Sequence, residues 1–560
     1  MSDDVRAREP ARRDRVFLTC LALVLLPFVV GLVKVAFVHW TPVGDWALLE
    51  LRARSVGGAH TPLVGPYSRF GWSHPGPALF YALAGPYRIF GGRANGILAA
   101  VLLINGASVA GLLIVAWRRG RRPLTIATAI AVALLCHALG ATFLRDPWNP
   151  YVTVLPFALL VFLAWSIACG DAWAVPVAAF VASFVGQTHV GYAALVVTVL
   201  VVATAWRVVV MVRARRQEHP RARPRSAAIT LVTIGVVVLA WLPPLLDQIA
   251  NPGNLDAIWK FFQKRHKTPT LDTGFRLVGR ALAVPATWVT GHEQVSTAHL
   301  FVPAVAGFFV PVALFTLVVA FVVSARGGDR DALALTVLVL ATLGAGVYSI
   351  AHVAGVLAAY LLRWLLALGM LAWLASVWAW WPAIARLHPG RATRRVLALA
   401  AAALLVVPVA LATTAAARAR APWYSVGVVE QHLARDTLAH LQTDGHPILI
   451  LSNHEQWFTW GLAARLDAAG IPLAARPVDV LYYGRHRVSL RHQAHLGVVV
   501  VVGPNALTTG RPIGGRLLAS YTGGYYGSHR FGPTADYGAI VHLSELNLRS
   551  DTVAVYEVQV

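Results

Sequence analysis

"TPVGDWALLELRAR" occupies Thr41–Arg54 and follows directly on an apolar run that begins near Val16. A run of about 20 apolar residues matches the ~30 Å hydrocarbon core of a bilayer, so Val16–Val38 reads as a membrane span. The quoted stretch then places one acid, Asp45, where that span surfaces into water. A carboxylate at this point has two readings. It is the polar N-cap of a surface helix, "WALLELRAR", or it belongs to a reaction centre at the mouth of the membrane region. The stretch alone leaves both open.

Apolar runs of the same length recur through the chain. Hydrophobic residues make up 57% of the 560 positions and charged residues only 13%, against about 25% charged in soluble domains. With a mean hydropathy of +0.62, the chain is a polytopic α-helical membrane protein. The predicted spans are Val16–Val38, Asn95–Trp117, Leu124–Phe143, Val152–Cys169, Trp173–Gly186, Ala193–Val212, Ala228–Leu246, His299–Val323, Leu333–Ile350, Val356–Trp380 and Val396–Ala416, about eleven in all. The basic stretches "RAREPARRDR", "RRGRR", "RARRQEHPRARPRS", "ARGGDRD" and "ARLHPGRATRR" all fall on one side of this alternation, which the positive-inside rule makes cytoplasmic. The formal charge of +23 therefore belongs to topology. No zinc-finger, RNP or basic-helix pattern accompanies it, so nucleic acid is not an expected partner. Cys20, Cys136 and Cys169 lie in apolar runs without CxxC spacing and read as small buried hydrophobes.

This topology gives a cytoplasmic basic N-terminus (1–15), a multi-span region (16–420) and external loops at 39–94, 144–151 and 247–298. Beyond 420 the pattern changes. "PILILS", "GVVVVVG", "GAIVHL" and "TVAVYEVQV" read as strands, alternating with helical "VVEQHLARDTLAHL" and "QWFTWGLAARLDAAG". Residues 421–560 are thus expected to form an extracytoplasmic α/β domain, with Trp457, Trp460, Tyr482, Tyr483, Tyr521, Tyr525 and Tyr526 as stacking faces for a glycan or as core. The expected host membrane is the plasma membrane.

The chemistry-bearing residues cluster at the external ends. Asp45 leads the first loop and Asp146 sits in the second, within "RDPWNP". A carboxylate there accepts the proton of an attacking hydroxyl, or ligates Mg²⁺, Mn²⁺ or Ca²⁺ through oxygen; the alternatives are a helix cap for Asp45 and a local pair with Arg145 for Asp146. Arg363, in "AYLLRWLLALG", is an ionisable residue inside the outer end of a span. Its fork suits phosphate, and snorkelling to the interface is the competing explanation. "NLDAIWKFFQKRHK" mixes apolar and basic residues, Lys264 among them, as an interfacial helix near anionic headgroups does. "GQTHVGY" adds Gln187 and His189 at another external turn. "HEQ" at 292–294 lacks the HExxH spacing of a zinc site.

In order and placement these residues resemble the glycosyltransferase C superfamily, in particular its protein-mannosyltransferase and aminoarabinose-transferase branch. Asp45 in "VGDWALLELRAR" matches the acid that opens the first external loop. "HPGPALFYALAGPYRIFG" resembles the basic-Pro-Pro segment and its following "Y" and "fG", aligning His74 with the residue that meets the donor phosphate. "RDPWNP" supplies the second acid, and Arg363–Trp364 resembles the late pair near the lipid phosphate. Two positions depart from the pattern: a single acid replaces the family's acidic pair, and "HPGP" displaces the second proline. The resemblance implies a sugar moved from a polyprenyl-phosphate donor to a cell-envelope acceptor hydroxyl at the bilayer's outer face. Asp45 and Asp146 would be catalytic, and His74, Arg363 and Lys264 would bind the donor phosphate. Trp46, Trp148, Gln187 and His189 would line the cavity, and a divalent cation on the acids is the one candidate cofactor. The competing classes are a polyprenyl-linked lipid or glycan flippase, which repeat symmetry and mid-membrane charges would mark, and a non-catalytic envelope scaffold.

Overall fold

The computed structural model describes residues 14–215, 225–251, 253–291, 311–355, 357–387, 390–451, 456–522 and 552–560. The first thirteen residues, much of the basic loop after 213, "HEQ", the start of the predicted span at 299, Tyr525, Tyr526 and "GAIVHL" lie outside this set.

The chain begins with α1 (Arg15–Ala36), α2 (Gly44–Ser55), the two-stranded hairpin β1 (Tyr67–Ser68) and β2 (Trp72–Ser73), α3 (Ala78–Ile89) and α4 (Asn95–Leu139). At 12 residues α3 is too short to cross. At 45 residues α4 runs about 68 Å, twice the bilayer core. It breaks at Arg121 (φ 51°, ψ −145°), inside the basic "RRGRR" turn. One helix thus holds the two spans predicted at 95–117 and 124–143. The short α5 (Asn149–Val152) leads into α6 (Val154–Ala168), followed by α7 (Ala174–Thr188), α8 (Ala193–Arg215), α9 (Arg225–Ala250), α10 (Asn254–Gln263), α11 (Leu271–Ala281) and α12 (Thr287–Thr290). The bundle closes with α13 (Val312–Gly327), α14 (Arg330–Ala351), α15 (Trp364–Arg386) and α16 (Arg391–Arg418).

Among the described residues eight helices are long and apolar enough to cross a membrane, against the eleven spans expected. The difference has identifiable sources: α4 merges two expected spans, and α7 and α13 have only 15 and 16 residues. The stretch Asn149–Ala168 has 94% of its apolar window covered by protein, whereas only 6% of the Ala227–Ala250 window is covered.

Beyond the bundle come α17 (Tyr424–His440), β3 (Ile448–Leu451), α18 (Gln456–Ala468), β4 (Leu473–Ala475), α19 (Val480–Tyr483), α20 (Arg485–Ser489), β5 (Leu496–Gly503), β6 (Arg516–Thr522) and β7 (Thr552–Gln559), whose strands form, among the described residues, a five-stranded sheet of order β4-β3-β5-β7-β6. The crossovers through α18 and α19–α20 make β4, β3 and β5 parallel, and β7 pairs antiparallel with both β5 and β6.

This domain is bolted to the first loop. Glu50 of α2 is fully buried. It accepts Arg54 Nη2 at 2.9 Å and the Tyr87 hydroxyl at 3.3 Å, and also pairs with Arg465 of α18. Arg54 reaches on to Asp467 Oδ2 (2.7 Å), whose other oxygen takes Arg487 Nη2 (2.6 Å). A carboxylate this deeply buried is tolerable only with such partners. A second contact stacks His60 on His486, ring centroids 4.1 Å apart.

A candidate active site with two exchanged acid–indole pairs

The site starts from the first residue of α2. Gly44 has φ +54°, and a Cβ there would lie 2.8 Å from the Trp457 ring, so only glycine lets α2 begin against the C-terminal domain. Val43 occupies the N-cap position without a side-chain cap. Asp45 follows in the first turn, where the helix dipole favours an anion, but its oxygens are turned away from capping. Oδ1 accepts the Tyr67 hydroxyl at 2.5 Å and Oδ2 accepts Trp148 Nε1 at 2.9 Å. In place of the capping role read from the sequence, Asp45 thus contacts the hairpin of its own loop and the second loop.

Asp146 mirrors this arrangement. Its Oδ1 accepts Trp46 Nε1 at 2.7 Å and the Trp148 backbone N–H at 2.9 Å. Each loop therefore donates an indole to the other loop's acid, and the two rings pack with centroids 5.6 Å apart. Trp423 and Trp457 of the C-terminal region complete the cluster, 6.0 and 5.8 Å from Trp46. On the other side Tyr67 is held edge-on by Trp460 and Tyr482, at 5.5 and 4.9 Å, so the C-terminal domain aims the phenol at Asp45.

A cavity opens over this arrangement, with about 390 Å³ of empty space counting the part open to solvent. Asp45, Leu48, Leu49 and Arg52 line it from α2, the i, i+3, i+4, i+7 spacing of one helix face. Gly65, Pro66, Tyr67 and Phe80 come from the rest of the first loop, Trp148 and Asn149 from the second, and Leu481 and Tyr482 from the C-terminal domain. Burial raises the Asp45 carboxyl above its usual range despite the opposing bonds from Tyr67 and Trp148. A partly exposed carboxylate made more basic, in a cavity walled by tryptophan and tyrosine, is suited to accept a proton.

The other sequence-predicted residues surround the cavity without lining it. Asp146 is fully buried and acts on Trp46 and Trp148, so its position is that of a buttress, not of a group meeting substrate. Trp46, likewise buried, lies behind the wall that Trp148 forms. His74 braces Gly65 and Pro66 through its backbone, Gly65 N to His74 O at 2.9 Å and His74 N to Pro66 O at 2.7 Å. Its Nδ1 accepts the Val190 N–H at 3.1 Å, and burial, then His189, holds the ring well below its usual pKa. The imidazole is a neutral Nε2–H donor, not the expected cation beside a phosphate. His189, 4.9 Å away, is pushed by burial to about 4.

Gln187 donates Nε2 to Ala240 O at 2.7 Å and packs against Gly76, tying α7 to the first loop. Arg363 is the N-cap residue of α15, its guanidinium 5.7 Å from the Tyr151 ring, and Tyr151 packs on Trp148. Lys264 is exposed at the end of α10, which docks on the hairpin through Asn254–Ser73 bonds of 2.8 and 3.1 Å. Of the proposed stacking faces, Trp460 and Tyr483 are buried, while Tyr482 reaches the cavity. No three His, Cys, Asp or Glu side chains gather as a metal site among the described residues, and the oxygens of Asp45 are engaged by Tyr67 and Trp148. Sequence reasoning missed Tyr67, Arg52 and Leu481. The spacing from Asp45 could have flagged Arg52; the other two converge only through tertiary contact.

No family model and no curated protein matches the chain by sequence. Among solved structures it is similar to ArnT from Cupriavidus metallidurans bound to undecaprenyl phosphate, with a TM-score of 0.54 at 14% identity over 95% of this chain and 97% of that one. The apo state of the same protein superposes with a TM-score of 0.53 at 13% identity, over the same 95% and 97%. Bundle and C-terminal sheet domain are thus matched together, and this multi-pass membrane protein has an ArnT-like fold.

Proposed function

We propose that the protein is an integral membrane glycosyltransferase that moves a sugar from a polyprenyl-phosphate donor to a cell-envelope acceptor hydroxyl at the extracytoplasmic face. The observation that carries this reading is the basic, cavity-facing Asp45 held by Tyr67 and Trp148. Its setting in an ArnT-like fold supports the donor class, since that structure holds undecaprenyl phosphate. The apolar, largely uncovered surface of α9 supports a donor that stays in the bilayer.

The reaction is a direct displacement at the anomeric carbon. Asp45 takes the acceptor hydroxyl proton as the acceptor oxygen–C1 bond forms, and the C1–O(phosphate) bond breaks. Its electron pair leaves with the polyprenyl phosphate. Asp146 contributes by fixing the Trp46 indole and the Trp148 backbone, and with them the wall of the cavity beside Asp45. Transfer is tested in membranes given a panel of radiolabelled polyprenyl-phosphate sugars. Asp45→Asn, which keeps the hydrogen-bonding shape, loses about 10²–10⁴-fold in rate while inserting normally. Near-full activity of that variant would remove Asp45 from the mechanism.

A further inference from the structure

We propose that Arg52 holds a substrate phosphate at the end of the cavity opposite Asp45. Arg52 is the one cation among the twelve cavity-lining residues; His74, Arg363 and Lys264 are absent from the lining. It lies seven residues along α2 from Asp45, about 10 Å at 1.5 Å per residue. That span accommodates a hydroxyl on Asp45, the anomeric carbon it attacks, and the phosphate beyond.

The guanidinium is unspent: Arg52 makes no hydrogen bond or ion pair among the described residues, in contrast to Arg54 and Arg487 of the neighbouring network. Its place is built by Gly484, whose φ is +88° and where a Cβ would lie 2.6 Å from Arg52 Nη1. The charged groups facing it are Arg487 and Asp247. Burial, then Arg487, lowers Arg52 to about 10 against the pull of Asp247, so it stays charged at neutral pH and gains from an anion. The proposal rests on the transferase reading only for which substrate carries the phosphate; binding itself needs no transfer.

The source is either the donor lipid or a water-borne acceptor, and binding separates them. Full-length protein in neutral detergent is titrated with farnesyl phosphate, with farnesol as its uncharged control, and with glucose 6-phosphate. Arg52→Gln weakens phosphate binding about 10- to 100-fold, Arg52→Lys retains most of it, and Gly484→Ala weakens it by displacing the guanidinium. Thermal midpoints confirm folding of each variant. An Arg52-dependent preference for farnesyl phosphate over farnesol assigns the subsite to the lipid donor, and the same dependence with glucose 6-phosphate alone assigns it to the acceptor. Equal binding by wild type and folded Arg52→Gln, or no phosphate binding by wild type, overturns the proposal. Asp45→Asn keeps phosphate binding while losing transfer, so the two readings fail separately.

Discussion

Replacing Glu50 with glutamine keeps the size of a fully buried side chain and removes its charge. Arg54 retains Asp467, but Arg465 loses its one hydrogen-bond partner among the described residues. Breaking a buried ion pair from one side costs about 3–5 kcal/mol. The Arg465 side chain is 22% exposed, so water recovers part of this and the lower end, about 3 kcal/mol, applies. At 1.4 kcal/mol per decade, undocking of the C-terminal domain becomes about 100-fold more frequent. Amide exchange on the intact protein reads this directly: peptides spanning 46–54 and 457–467 exchange faster, while β3 and β5 inside the sheet do not. Adding Arg465→Met to Glu50→Gln removes the stranded cation and restores most of the protection, since a paired deletion is far cheaper than a broken pair. Exchange within twofold of wild type in the single variant, or further loss in the double variant, would refute the bolt.

Tyr67→Phe removes a bond that favours the charged form of Asp45, whose carboxyl burial already raises. The acid limb of the kcat/KM profile therefore moves to higher pH, with rates on the alkaline plateau little changed; an unmoved limb contradicts the assignment of Asp45 as base. His486 is held at about 3, by burial first and then by Arg487, His60 and Arg52. Its undocked value is about 6.5, so the undocked state binds the extra proton. Docking is fully favoured above that pH and weakens as pH falls toward the folded value. Exchange of the 484–490 peptide compared at pH 7 and 5, corrected for intrinsic rates, shows this loss, and His486→Gln flattens it.

The membrane class and the C-terminal sheet domain were readable because both rest on local pattern: apolar runs of bilayer length, and "GVVVVVG" or "TVAVYEVQV" as strands. The position of Asp45 was readable for the same reason, since the end of a span is a local event. Its partners were not. Tyr67 lies 22 residues away and Trp148 lies 103 away, and no periodicity links them. The tie between Arg54 and Asp467 joins residues 413 apart. His74 was found by its motif, yet its charge state depends on burial beside His189, which only the packed structure defines. The count of about eleven spans is not confirmed among the described residues, because the kinked α4 runs through two of the expected spans and α7 and α13 are only 15 and 16 residues long.

The exchange of indoles between the two acid-bearing loops has a consequence for assembly. Asp45 depends on Trp148, and Asp146 depends on Trp46, so neither loop finishes its own acid. During insertion the first loop emerges without a partner and its carboxylate remains an ordinary hydrated acid. The basic, cavity-facing Asp45 exists only after the second loop has arrived. The four residues therefore form one structural unit: transplanting either loop alone into a related bundle would carry an acid and leave its indole donor behind.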